Sequence, residues 1–95
     1  MTEPAQDVEV TVYWRPGCGF CSGLLSRLRD SDITYSTVNI WEEPDAAAYV
    51  RSVARGNETV PTVKVGEKAM VNPSYRSLVE AVTGQPPRRR RGLFG

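Results

Sequence analysis

Both cysteines of this chain lie in one short stretch, Cys18-Gly19-Phe20-Cys21, set between a segment that reads as a strand and one that reads as a helix. Val8 to Trp14 runs Val-Glu-Val-Thr-Val-Tyr-Trp, dense in β-branched and aromatic residues, with Val8, Val10 and Val12 on one face. Arg15-Pro16-Gly17 breaks it. From Gly19 to about Ser31, Leu24, Leu25 and Leu28 recur at helical spacing, with Arg27 and Arg29 outward. Any fold this chain adopts must therefore carry two thiols at a strand-to-helix junction.

The remaining segments extend that unit. Ile33 to Ile40 reads as a second strand. Glu42-Glu43-Pro44-Asp45 is a helix start, because proline suits the first turn and acids complement the positive helix end. Ala46, Val50, Val53 and Ala54 follow on one face, and Gly56 fits the stop. Thr62 to Val65 and Ala69 to Val71 read as strands joined at Gly66-Glu67-Lys68. Asn72-Pro73-Ser74 offers an N-cap with proline at the first helical position, ahead of a short helix carrying Leu78, Val79 and Val82 and ending at Gly84.

The order β-α-β-α-β-β-α implies an α/β domain. The first two strands are linked through a helix, which makes them a parallel pair with a right-handed crossover. The last two form a hairpin, giving a four-stranded mixed sheet with about three flanking helices on its two faces. Residues 8–84 make up this domain. Residues 1–7 and the segment 85–95, with two prolines and four arginines, read as disordered ends.

Composition removes several chemistries. With 12 basic and 11 acidic residues the chain as a whole is balanced. Arg88 to Arg91 hold four of the cations, however, so residues 1–87 carry a formal net charge of −3. That pattern argues for no nucleic-acid partner and no membrane partner, and reads the arginine run as a solvated tail, with docking of an acidic partner or anionic surface as the alternative. Zero histidines exclude a Cys–His nucleophile pair and a Cys–His zinc site. The first residues show neither a basic region nor an apolar core of a signal peptide, so the expected location is the cytoplasm.

A thiol at a helix N-terminus faces unpaired N–H groups and the positive end of the dipole, and both favour the thiolate. Cys18 is thus expected to be the exposed attacker, with Arg15 adding a nearby cation. Cys21, one turn further on, is expected to be shielded and to act as the resolving thiol. Three other readings compete. A structural disulfide would close too short a loop to remove much unfolded-state entropy. A mononuclear metal site lacks ligands, although two chains could share a metal or iron–sulfur cluster. Inert buried thiols fit poorly with the helix-start position. Redox chemistry is favoured, with no metal and no tightly bound cofactor.

The second constellation is Thr59-Val60-Pro61-Thr62. A proline before a strand is first a strand-start residue. Together, the strand ending Tyr13-Trp14-Arg15, Cys18-Gly19-Phe20-Cys21, Thr59-Val60-Pro61 and the helix start after Val71 resemble the glutaredoxin family over about residues 8–84. The resemblance implies a thioredoxin-like fold and reduction of mixed disulfides between proteins and a low-molecular-weight thiol. It also implies a cis proline at Pro61, with the backbone of Val60 pairing with an incoming cysteine beside Cys18. Phe20 is expected at the rim as a client contact, and Trp14 and Trp41 in core or sheet-edge packing.

One departure is informative. Glutathione-using members of that family carry Gly-Gly and a nearby Asp at the start of the last helix, where they hold the γ-glutamyl group. Here the stretch reads Val71-Asn72-Pro73-Ser74-Tyr75-Arg76, in which Pro73 has no N–H and Arg76 would repel an ammonium. Asn-Pro-Ser in this place resembles the mycoredoxins, glutaredoxin-like proteins of actinobacteria that use mycothiol. Asn72, Ser74 and Tyr75 would then face sugar hydroxyls, in a site shared with Arg15, Gly19, Phe20, Thr59, Val60 and Pro61. The resemblance implies mycothiol or another low-molecular-weight thiol as reductant, thiolated proteins as clients, and a monomer. Two alternatives remain open. One is a dithiol electron carrier between a flavoprotein reductase and an enzyme such as ribonucleotide reductase. The other is an iron–sulfur cluster-binding glutaredoxin.

Overall fold

The computed structural model describes residues 8–84; the two ends expected to be disordered lie outside these described residues. Seven elements follow in order: β1 (Val10–Trp14), α1 (Gly19–Arg29), β2 (Ser36–Asn39), α2 (Pro44–Val53), β3 (Thr62–Val65), β4 (Lys68–Val71) and α3 (Tyr75–Thr83). The sheet order is β2-β1-β3-β4. β1 runs parallel to β2 and antiparallel to β3, and β3 pairs antiparallel with β4. The expected thioredoxin-like arrangement of a mixed sheet and three helices is the one observed.

The alternation of side chains along β1 and β3 divides the core in two. Val10 and Val12 on β1, with Val63 and Val65 on β3, pack against Leu24 and Leu28 of α1 and Leu78 and Val82 of α3. Tyr13 points the other way, where Ile40, Ala47 and Val50 are buried with α2. Helices thus cover both faces, and each fully buried aliphatic side chain contributes about 1.5–3 kcal/mol. Because α1 is fixed on its Leu24–Leu28 side, its first turn is held beside the end of β1.

β4 begins at Lys68, which pairs with Val65 and leaves the turn to Gly66-Glu67; four other expectations need adjusting. β1 begins at Val10, and Val8 packs half-buried just outside the ladder. β2 is confined to Ser36–Asn39. Ser31 Oγ donates to the Leu28 carbonyl at 2.7 Å and accepts from Ile33 N at 3.1 Å. This turn holds the chain ahead of β2 outside the ladder, although Ile33 and Tyr35 still pack on the core. On α2 the buried stripe is Ala47, Val50 and Ala54, because the turn begun at Pro44 aims Ala47 at the sheet; Ala46 and Val53 flank it.

The fourth adjustment concerns the last helix. Its N-cap is Ser74, whose hydroxyl accepts from Ser77 N at 3.0 Å, and not Asn72; Pro73 therefore precedes the cap. The reason lies in the sheet. Asn72 N donates to the Pro61 carbonyl at 2.8 Å, extending the β3–β4 pairing by one step. A left-handed φ of 51° then turns Asn72 out of the sheet, a conformation asparagine tolerates better than most residues. At the far end Gly84, with φ 74°, closes α3 where expected.

Candidate active site

Cys18 is the N-cap of α1. Its backbone is extended and its Sγ accepts the Cys21 N–H at 3.2 Å, taking the place a serine or aspartate oxygen usually fills. An N–H aimed at sulfur, at the positive end of an 11-residue helix, interacts better with a thiolate than with a thiol. Both cysteines are free thiols, but their surroundings differ. Cys18 is half-buried and reachable, whereas Cys21 is 1% exposed.

Burial pushes the Cys21 thiol up to about 12, and its hydrogen bond with Cys18 acts in the same direction; the backbone N–H of Arg15 opposes them. At neutral pH Cys21 therefore stays protonated. One spacing along one helix turn has produced two unlike thiols.

The second wall of the site is the loop before β3. The Val60–Pro61 peptide bond is cis. The Val60 carbonyl oxygen lies 3.6 Å from Cys18 Sγ, which donates to it. Fully buried Thr62 braces this loop, its hydroxyl donating to the Thr59 carbonyl at 2.7 Å. Asn72, tied to the Pro61 carbonyl, brings the start of the α3 segment to the same place.

Between α1 and that segment runs an open groove of about 400 Å³. Gly19, Phe20, Gly23 and Arg27 line one side, Asn72, Pro73 and Tyr75 the other, and Pro61 completes it. Of the residues expected at the site, Gly19, Phe20, Pro61 and Asn72 thus share one groove, and Val60 meets Cys18 directly. Phe20 is 76% exposed at the rim, as expected.

Others are placed differently. Ser74 does not line the groove, because its hydroxyl is taken up by the helix cap. Arg15 does not line the groove, its guanidinium donating to the Pro16 carbonyl at 3.2 Å and lying 5.9 Å from the Trp41 ring, but it is the nearby cation expected, its charge acting on Cys21 against the effect of burial. Trp41, expected in packing, is 63% exposed, because Trp41 N donates to Asn39 Oδ1 and turns the chain away after β2. Arg76 pairs with Glu80 at 3.7 Å.

The sequence does not single out Arg27 or Gly23, whereas Tyr75, expected beside Asn72, does line the groove. A signal for the first two was present: Gly19, Gly23 and Arg27 follow at i, i+4 and i+8, a shallow face on α1 that ends in a cation. A larger cavity of about 530 Å³ lies on the α2 side, among Tyr13, Tyr49, Lys64 and the acids Glu42, Glu43 and Asp45; it holds none of the expected site residues. Among the described residues no group of three or more acidic or thiol side chains is placed to hold a metal ion, and no helix is long and apolar enough to cross a membrane.

A strand-to-helix dithiol facing a cis proline matches a known pattern, and a family model named glutaredoxin matches residues 10–70. This chain belongs to the glutaredoxin family. A provisionally named glutaredoxin of Mycobacterium tuberculosis is 41% identical over 66 residues, covering 68% of this chain and 79% of that protein. Mycoredoxin 1 of Corynebacterium glutamicum is 33% identical over 58 residues, 61% of this chain and 71% of that protein.

Among solved structures, glutaredoxin 1 of Archaeoglobus fulgidus superposes with a TM-score of 0.66 at 24% identity, covering 79% of this chain and 86% of that one. The holo form of glutaredoxin C1 from a poplar hybrid gives 0.57 at 27% identity, covering 80% and 75%. Both share the thioredoxin-like fold, as glutaredoxins do. As a glutaredoxin with actinobacterial relatives of this kind, the chain is a thiol–disulfide oxidoreductase.

Proposed function

We propose that this glutaredoxin reduces mixed disulfides between client proteins and mycothiol, in the cytoplasm, with Cys18 as the nucleophile and mycothiol as the reductant. The observation that carries this reading is the lining of the groove beside Cys18. It offers no carboxylate for an ammonium, and Pro73 supplies no N–H where a γ-glutamyl carboxylate would need one. The ammonium of a zwitterionic thiol finds no acid there, although Arg27 can receive a carboxylate, whereas a sugar-linked thiol without an ammonium needs no acid. Kinship with mycoredoxin 1 supports the same assignment.

In the first step the Cys18 thiolate attacks the mycothiol sulfur of the client disulfide. A Cys18–mycothiol disulfide forms, the client S–S bond breaks, and the client leaves as a thiolate that takes a proton from water. The Val60 backbone aligns the incoming sulfur, Phe20 gives the client an apolar edge, and Thr59 holds the loop through its bond to Thr62. Asn72 faces the bound thiol. A second mycothiol thiolate then attacks the Cys18–mycothiol disulfide, releasing oxidised mycothiol and free Cys18.

The alternative second step, attack by Cys21 on Cys18 Sγ, expels mycothiol and forms the Cys18–Cys21 disulfide. It needs the Cys21 thiolate, which burial makes scarce near neutral pH. That cost favours the monothiol cycle.

The test is a side-by-side assay of one client peptide carrying mycothiol or glutathione, each with its own thiol as reductant. A higher kcat/KM on the mycothiol pair is expected. An equal or higher value with glutathione would overturn the choice of thiol and leave the oxidoreductase assignment standing.

A further inference from the structure

Arg27 has an unusual setting for a surface arginine. Its guanidinium carbon lies 4.4 Å from the centre of the Tyr75 ring, bridging α1 and α3 across the groove. No described residue gives it an ion pair or a hydrogen bond, whereas Arg51 pairs with Glu58 and Arg76 with Glu80. Arg27 is also the one charged side chain among the residues lining this groove. Its planar fork of donors is thus held on an aromatic face, with its N–H edges unpaired among the described residues.

The floor beneath it is equally specific. Gly19 and Gly23 leave open space where other residues would place a Cβ, so a ligand can pass along α1 from Phe20, two residues beyond Cys18, to Arg27. About two and a half turns of helix separate Cys18 from Arg27, a span that a bare cysteine would not cover. A group reaching Arg27 must be the part of the thiol beyond its cysteine.

On that basis, and resting on the proposed use of mycothiol, we infer that Arg27 and Tyr75 form the distal end of the thiol-binding groove and grip the sugar portion. Guanidinium N–H groups donate to adjacent sugar hydroxyls in pairs, while Asn72, across the groove, offers both a donor and an acceptor. The contact is uncharged on the ligand side; because a guanidinium also pairs with carboxylates, discrimination against a zwitterionic thiol rests on its ammonium, for which the groove holds no acid. Arg27 is a specificity residue; the bond-making remains with Cys18.

The experiment uses the full chain, with dithiothreitol regenerating the enzyme so that the second half-reaction is held constant. One peptide is presented as its mixed disulfide with mycothiol and as its mixed disulfide with N-acetylcysteinamide, which ends where the sugars begin. Arg27→Ala should raise KM for the mycothiol disulfide about tenfold, leaving kcat and the N-acetylcysteinamide reaction within about twofold. Arg27→Lys should keep most of that defect, because an ammonium lacks the planar fork. Equal losses on both disulfides, no loss on either, or full rescue by lysine would overturn the inference. A wild type showing no preference for the mycothiol disulfide would overturn the reading beneath it as well; a preference that survives Arg27→Ala overturns only the inference.

Discussion

Cys18 Sγ lies 3.6 Å from the carbonyl oxygen of Val60, joining the first turn of α1 to the loop before β3 across 42 positions of sequence. This contact assembles the site. It places the nucleophile against a backbone edge that can align a client, while the Cys21 N–H approaches the same sulfur from the helix side at 3.2 Å. The sheet order makes it possible, because β1 and β3 are neighbours and both the turn after β1 and the loop before β3 lie at one end of the sheet.

The brace behind Val60 is testable on its own. Thr62 is fully buried and its hydroxyl donates to the Thr59 carbonyl at 2.7 Å. Thr62→Val keeps the shape and removes the donor, so stability should fall by about 1–3 kcal/mol. Turnover should fall with it, as the Val60 carbonyl loses its fixed place. Urea unfolding and steady-state assays on the same preparation check this, and an unchanged midpoint with unchanged turnover would contradict it.

Cys21 sets a pH dependence. An unfolded cysteine titrates near 8.5, while folded Cys21 is pushed up to about 12. Between those values the native state holds a proton that the unfolded chain has lost, so stability falls as pH rises; below about 8.5 the contribution is complete. Tyr13, raised by burial and by Tyr49, acts in the same direction and is common to any variant that keeps it. The urea midpoint of the reduced wild type should therefore drop more between pH 7.5 and 10 than that of Cys21→Ser. Parallel drops would contradict the raised thiol.

Gly23 sits inside α1 with open space around its would-be Cβ and without a left-handed φ. Gly23→Ala should raise stability by about 0.5–1 kcal/mol through helix propensity alone. Denaturant midpoints measure it. A loss would mean that the face between Gly19 and Arg27 does not tolerate a methyl group.

Much of this was legible in the sequence, for physical reasons that can be named. The period-2 pattern of β1 and the Leu24–Leu28 spacing of α1 each answer to one buried face, so local pattern and tertiary packing agree. The cysteine pair and Thr59-Val60-Pro61 are visible as residues, and their meeting is what the resemblance to the glutaredoxin family implies. What escaped notice depended on contacts between distant segments. Local propensity favours Asn72 as a cap, but a bond to Pro61 draws it into the sheet and passes the cap to Ser74. Arg27 was read as merely outward, since nothing local shows that Tyr75 will lie beneath it.

The central claim is that one thiol suffices for the chemistry, and it is tested most directly by assaying Cys18→Ser and Cys21→Ser on a mycothiol-mixed disulfide with mycothiol as the sole reductant. Cys21→Ser should sustain turnover and Cys18→Ser should show none. Turnover retained by Cys18→Ser, or lost in Cys21→Ser while the wild type works with a flavoprotein reductase, would contradict the monothiol account.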